Sequence, residues 1–163
     1  MKIHSKRFQT ELEFDDSMVI NMPQGLLGFP QSKRFCILEL DYENSPFKWL
    51  HDVDDTSIAL LITDPFQFFA EYTPDINEHQ ISDLGLKSVE EDLMIFTIVK
   101  VSKGGKEAFT NLRAPVVVNA STKTAKQIIL EEDKYSVKAT LFTEAESLTA
   151  SGEKEAAGGG SSA

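Results

Sequence analysis

The sequence predicts a single domain that is mostly β, with an antiparallel, barrel-like arrangement of strands and few short helices. Three observations lead to this prediction. Apolar residues alternate with a period of two over most of the chain, turn-forming residues separate the apolar runs, and 163 residues with 41% hydrophobic content can bury one substantial core. We expect the domain to span residues 1–147. Large apolar side chains are absent after Leu148, so we expect a flexible tail over residues 148–163, partly a linker or derived from cloning.

The first half of the chain contains short β-rich runs bounded by turn residues. These runs predict strands at residues 3–8, 11–14, 18–22, 33–40, 47–51 and 57–63. The best helix candidate follows at residues 77–86, with Asn77 as its N-cap. Gly85 and a mixed apolar periodicity argue against a helix there.

A long strand is predicted at residues 93–101. Phe96 and Ile98 fall on one of its faces and Val99 on the other, so we expect it to be buried largely on both sides. The Gly104-Gly105 pair then supplies a turn that forms a hairpin with residues 108–112. Further strands are predicted at residues 116–119, 127–130 and 135–142, with Pro115 at a strand edge or start and a loop over residues 120–126.

The charge balance argues against nucleic acid as a ligand. The formal net charge is −10 and the pI is near 4.7, so phosphate backbones and anionic membrane surfaces are repelled and a basic protein is the natural partner. No apolar stretch approaches the roughly 20 residues of a membrane-spanning helix, and the N-terminus lacks a secretory signal. Cys36, in an apolar run, has no disulfide partner and is expected to be buried and inert, which fits a reducing cytoplasm.

No pattern in the sequence indicates a catalytic residue, a cofactor or a metal site. The acidic runs at residues 52–55 and 90–92 lack the spacing of a calcium loop. The histidines His4, His51 and His79 are isolated, and Ser5 and the other serines lack the glycine-flanked turn of a nucleophile elbow. We therefore expect no enzyme, although a catalytic triad would be invisible to spacing alone.

Two features favour protein binding. Residues 64–72 gather several aromatic rings behind Asp64-Pro65, and aromatic rings supply much of the binding energy at protein interfaces. Acidic residues concentrate in turns, where they would steer a basic partner. The alternatives are core packing for the rings and simple solvation for the carboxylates. The predicted protein-binding residues are Asp52, Asp54, Asp55, Phe66, Phe69 and Glu71.

Five segments carry a resemblance to a known family. They are residues 22–29, 46–50, 63–69, 92–99 and 110–119, and together they resemble the flagellar assembly factor FliW family over about residues 3–142. Leu27 stands where the family pattern often has proline. The resemblance implies a cytoplasmic, non-enzymatic, mostly β protein that is monomeric when free and binds neither nucleic acid nor membranes.

The resemblance also implies two partners and a switch between them. One is CsrA, a small basic RNA-binding dimer that represses flagellin translation, and the other is flagellin itself. Flagellin occupies the FliW protein until it is secreted, after which FliW captures CsrA and lifts the repression. Two other functions remain open from the residues alone. One is a hydrolase with Asp64, Glu71 and Asp92 around a metal, and the other is a small-molecule sensor with a roomy apolar cavity.

Overall fold

The computed structural model describes residues 1–40, 45–85, 93–131 and 134–142. Its main feature is a closed ring of seven strands in the order β7-β6-β5-β4-β3-β10-β9, which closes where β9 pairs with β7. All pairings in the ring are antiparallel except the single parallel contact between Thr124 of β10 and Asn21 of β3. The predicted mostly β, barrel-like fold is therefore confirmed.

The strands follow the predicted order along the chain. They are β1 (Lys2–Ser5), β2 (Thr10–Glu13), β3 (Val19–Asn21), β4 (Arg34–Glu39), β5 (Phe47–Asp52), β6 (Ala59–Thr63), β7 (Leu93–Val101), β8 (Ala108–Thr110), β9 (Val116–Asn119), β10 (Thr124–Gln127) and β11 (Ala139–Phe142). The one α-helix is α1 (Glu78–Ile81), and short 3₁₀ turns occupy Asp16–Met18, Pro65–Gln67 and Ser82–Leu84. These counts refer to the described ranges.

Strand β7 belongs to two ladders along one edge. Its first half, Leu93 to Phe96, pairs with β9, and its second half, Val99 to Val101, pairs with β8. The predicted hairpin of β7 and β8 is confirmed, with Gly104 and Gly105 both at positive φ in its turn. Because β9 continues around the barrel and β8 instead pairs with β11, the sheet forks near Ile98.

Two apolar cores lie on the two faces of the barrel sheet. The inner core takes side chains from every strand of the ring and includes Phe35, Leu50, Ile62, Phe96 and Val116. The second core covers the outer face of β5 to β7 and is closed by β8, β11 and aromatic rings that include Phe68 and Phe69. The alternation of β7 between these cores explains why its sequence is apolar at nearly every position.

The β1–β2 hairpin forms a separate two-stranded sheet that packs against the barrel. The Ser5 hydroxyl and the His51 ring are both fully buried, and Ser5 Oγ lies 2.7 Å from His51 Nε2. His51 Nδ1 lies 2.7 Å from the Asp52 carbonyl oxygen, which only accepts, so Nδ1 carries the proton and Ser5 donates to Nε2. This hydrogen bond fixes the hairpin to β5.

Four predicted boundaries are wrong by three residues or more. The strand predicted at residues 3–8 ends at Ser5, because residues 6–9 form a turn. Residues 128–130 are not in a strand, because Asn119 holds a tight turn by accepting from the backbone of Ser121 and Thr122, so the mainly polar segment Thr124–Gln127 forms β10 instead. The helix ends at Ile81 and gives way to a 3₁₀ turn that Gly85 closes at φ 76°, although the Asn77 cap is confirmed by a capping box. Strand β11 begins at Ala139 rather than at residue 135.

Candidate functional site

The three predicted aspartates lie together, with Asp52 at the end of β5 and Asp54 and Asp55 in the loop that joins β5 to β6. Asp52 is buried, with 1% of its surface exposed, and one of its carboxylate oxygens accepts hydrogen bonds from the backbone N–H groups of Asp54 and Asp55. A short acidic side chain that bonds the backbone two or three residues ahead is a common way of closing such a turn. Asp52 therefore shapes the loop that displays Asp54 and Asp55.

Asp54 and Asp55 expose their carboxylates. Arg34 from the neighbouring strand donates two hydrogen bonds to Asp54, at 2.6 and 3.1 Å, and this contact lowers the pKa of the Asp54 carboxyl. The Ser57 hydroxyl, 2.5 Å from Asp55 Oδ1, and the Ser57 backbone N–H lower the pKa of Asp55. Both groups are therefore held in the ionised form. Asp54 is paired with Arg34, whereas no basic side chain among the described residues forms a hydrogen bond with Asp55.

A shallow cleft of about 390 Å³ separates this loop from residues 28–32. We call it the acidic cleft, and its lining includes Asp52, Asp54 and Asp55 on one side and Phe29 and Pro30 on the other. Residues 28–32 form the opposite wall, and we call the loop that contains them, residues 24–32, the wall loop. Paired backbone hydrogen bonds between Leu26 and Phe29, at 2.8 and 3.1 Å, fold this loop back on itself.

The aromatic candidates follow β6, at the end of the strand opposite the aspartates. Asp64 caps the 3₁₀ turn by accepting from the backbone N–H of Phe66 at 3.0 Å, and Pro65 starts the turn. Phe66 is 41% exposed, and its ring lies 5.6 Å from that of Tyr72. Tyr72 donates a 2.6 Å hydrogen bond to the Leu112 carbonyl, and burial raises the pKa of its phenol. The Phe66 ring is thus presented from a rigid base.

Phe69 and Glu71 have different environments from Phe66. Phe69 is half-buried and packs against the second core, which is the alternative that the sequence left open for these rings. Glu71 is exposed. The six predicted residues therefore form two groups, one at each end of β6, rather than one contiguous site. Because β6 has five residues, the two groups are on the order of 15 Å apart along the strand.

A second concave surface, larger than the acidic cleft, contains none of the predicted residues. It is a cleft of about 590 Å³ that opens where β8 diverges from the barrel, and we call it the fork cleft. Its lining comes from the wall loop, β6, β7, β8, Gln127 and the residues before β11. No local sequence pattern marks it, since its parts are up to about a hundred residues apart. The one available signal was Leu27, an apolar residue at a turn tip, which is 54% exposed.

The structure describes two of the three carboxylates that the hydrolase alternative places around a metal. Asp64 is used as a cap, Glu71 is exposed, and Asp92 lies outside the described residues. Within the described part of the chain, no three His, Cys, Asp or Glu residues are grouped so that they could hold a metal. The Ser5–His51 contact resembles half of a catalytic triad, but both side chains are fully buried and serve to join two sheets. None of the described helices is long and apolar enough to cross a membrane.

Comparisons with known proteins agree with one another. A family model described as "FliW protein" matches residues 2–141. A flagellar assembly factor FliW of Clostridium beijerinckii is 35% identical over 144 residues, which cover 88% of this chain and 100% of that protein. Another, of Magnetococcus marinus, is 40% identical and covers 87% of this chain and 85% of that protein. A crystal structure of the flagellar assembly factor FliW superposes with a TM-score of 0.78, at 28% identity, over 88% of this chain and 99% of the other.

Proposed function

The chain belongs to the FliW family, and we propose that it is a flagellar assembly factor that works without catalysis, by binding CsrA and flagellin in competition. Family membership is the observation that carries this proposal. In the cycle that we propose, flagellin holds the protein while flagellin is abundant in the cytoplasm. Once flagellin is exported, the free protein binds CsrA and relieves the repression of flagellin translation.

The acidic cleft is the surface that we assign to CsrA. CsrA is expected to be basic because it binds RNA, and Asp54 and Asp55 present ionised carboxylates on a loop that Asp52 holds in place. Complementary charges mainly raise the association rate and make binding sensitive to salt. The exposed ring of Phe66 is the apolar contact that we expect to prolong a complex at the other end of β6.

Calorimetric titration with purified CsrA at low and moderate salt tests this proposal. We expect tight binding that weakens with salt and disappears once the protein is saturated with flagellin. Asp54→Asn combined with Asp55→Asn should weaken CsrA binding and flatten its salt dependence. The matched control is Glu78→Gln with Glu131→Gln, because these two exposed carboxylates belong to neither group and their loss changes the net charge equally. Failure to bind either partner would refute the proposal.

A second measurement separates docking from antagonism. The affinity of CsrA for flagellin messenger RNA is measured with and without saturating amounts of this protein. We expect RNA affinity to fall in its presence, because a protein of formal charge −10 seated on CsrA repels the RNA backbone. Unchanged RNA affinity in a complex that forms normally would show that the protein docks on CsrA without antagonising it.

A further inference from the structure

We propose that the fork cleft binds an apolar protein segment that carries carboxylates, as a docking site separate from the acidic cleft. This goes beyond the function proposed above, since neither CsrA nor flagellin is assigned to it. The two clefts lie on either side of the wall loop and differ in chemistry. One is lined by aspartates, and the other has an apolar floor with lysines at its edge.

The floor of the fork cleft is unusually apolar for an exposed surface. Leu60 and Ile98 are inner-face residues of β6 and β7 that remain half-buried, because β8 leaves the barrel at this point. The rim carries Leu27 and Val137, which are 54% and 63% exposed and are two of the seven large apolar residues exposed in the described ranges. Contiguous apolar surface of this kind, bordered by polar groups, is typical of sites that bind another protein.

Charge complementarity identifies the chemistry of the occupant. Lys100 and Lys138 line the cleft, and none of the carboxylates in the described part of the chain does, although the whole sequence carries 26 acidic and 16 basic residues. Lys138 Nζ lies 4.5 Å from the centre of the Phe109 ring, and within the described residues neither lysine forms an ion pair. Two ammonium groups beside an apolar floor favour a segment that has both apolar side chains and carboxylates.

The fork cleft lies at the surface of the protein, outside the packed interior of the barrel. The inner core fills the barrel interior, and every buried side-chain nitrogen or oxygen in the described ranges has a hydrogen-bond partner. The fork cleft instead lies open between the tip of the wall loop and the residues before β11. Gln127 accepts a 2.8 Å hydrogen bond from the Leu27 backbone, which holds the wall loop in position at the cleft edge.

The test uses synthetic peptides and therefore needs neither CsrA nor flagellin. The probe is an amphipathic peptide of leucine and glutamate, and its counterpart has lysine in place of every glutamate. Methyl NMR of this protein should show saturable shifts at Leu60, Ile98 and Val137 with the glutamate peptide, and none at Ile129, which is 54% exposed and lies outside the cleft. The lysine peptide should leave the cleft methyl groups unchanged at the same concentration.

Charge reversal supplies the decisive comparison. Lys100→Glu combined with Lys138→Glu should lower the affinity for the glutamate peptide by about fivefold or more and allow the lysine peptide to bind instead. The control pair, Lys6→Glu with Lys103→Glu, makes the same change in net charge at exposed sites outside the cleft. It should leave the affinities for both peptides unchanged. Val137→Asp, at a 63% exposed position, should weaken the glutamate peptide without unfolding the protein.

Three results would overturn the proposal. The first is the absence of saturable shifts at the cleft with the glutamate peptide. The second is equal binding of both peptides, which would mean that the lysines select nothing. The third is an equal effect of the cleft and control charge reversals, which would assign the preference to net charge. All three are independent of whether CsrA or flagellin binds, so the two proposals can fail separately.

Discussion

Ser5 and His51 show how single polar side chains position larger parts of this protein. They join the N-terminal hairpin to β5 by one buried hydrogen bond between residues 46 positions apart in the chain. The Ser5 hydroxyl also accepts from the Phe8 backbone N–H at 3.0 Å, and the Phe8 ring packs edge-on against both His51 and Trp49. Removing the hydroxyl therefore leaves a buried acceptor and a backbone donor without partners.

We expect Ser5→Ala to lower the free energy of unfolding by about 1–3 kcal/mol, the usual cost of leaving buried polar groups unsatisfied. Urea denaturation measures the change. Ser121→Ala is the matched control, because Ser121 is exposed and uses only its backbone N–H in a hydrogen bond. A loss at Ser5 no larger than that at Ser121 would show that the hydrogen bond contributes nothing to stability.

The Cys36 thiol provides a pH-dependent test at the same scale. Burial raises the pKa of Cys36 from 9.0 to about 11 in the folded protein. Its contribution to stability is therefore fully present below pH 9 and is lost as the pH rises towards 11, by on the order of 2 kcal/mol. Urea denaturation between pH 8.5 and 9.8 should show a shallower fall for Cys36→Ala than for the wild type. Parallel pH profiles for the two proteins would contradict this.

At the scale of elements, the wall loop depends on one glycine much more than on the other. Gly25 and Gly28 both have positive φ, at 69° and 84°. A Cβ atom on Gly25 would lie 2.7 Å from the Pro30 carbonyl oxygen, whereas one on Gly28 would meet nothing within 4 Å. The two positions share the conformational strain of a left-handed residue and differ only in the close approach of the backbone.

We therefore expect Gly25→Ala to destabilise the protein by clearly more than Gly28→Ala, which should cost about 1 kcal/mol. Thermal unfolding of the two variants beside the wild type measures the difference. Because each variant serves as the control for the other, equal losses would show that the backbone within the loop relaxes around residue 25 at no cost.

The elements that the sequence predicted well are those whose signals are local. The period-two pattern of β7, the Gly104-Gly105 turn and the Asn77 cap all depend on neighbours within a few residues, and all three are confirmed. Strand β10 was misplaced because three of its four residues are polar and the segment becomes a strand through pairing with β9. The fork cleft escaped prediction because the divergence of β8 from β9 is a property of sheet topology.

The whole molecule carries a formal charge of −10, and this charge acts on the fold as well as on partners. Like charges on a compact chain repel one another and lower its stability. The ion pairs among the described residues are surface contacts, such as Lys2 with Glu11 at 3.4 Å and Lys48 with Glu39 at 3.0 Å. Exposed pairs of this kind contribute little, so the net repulsion is the larger effect.

We expect added sodium chloride to raise the melting temperature at pH 7, because salt screens the repulsion over roughly a Debye length of 10 Å at 0.1 M. The rise should shrink near pH 5, where the net charge approaches zero at a pI of about 4.7. Circular dichroism melts at several salt concentrations and both pH values test this. A melting temperature that falls with salt at pH 7 would mean that attractive ion pairs dominate.

Gly28 and Phe29 line the acidic cleft on one side and the fork cleft on the other. A wall shared by two sites makes them thermodynamically linked whenever an occupant of one displaces it. If filling the fork cleft changes the affinity of the acidic cleft by some factor, filling the acidic cleft must change the affinity of the fork cleft by the same factor. Two ligands that share no contacts other than this wall would then exclude each other.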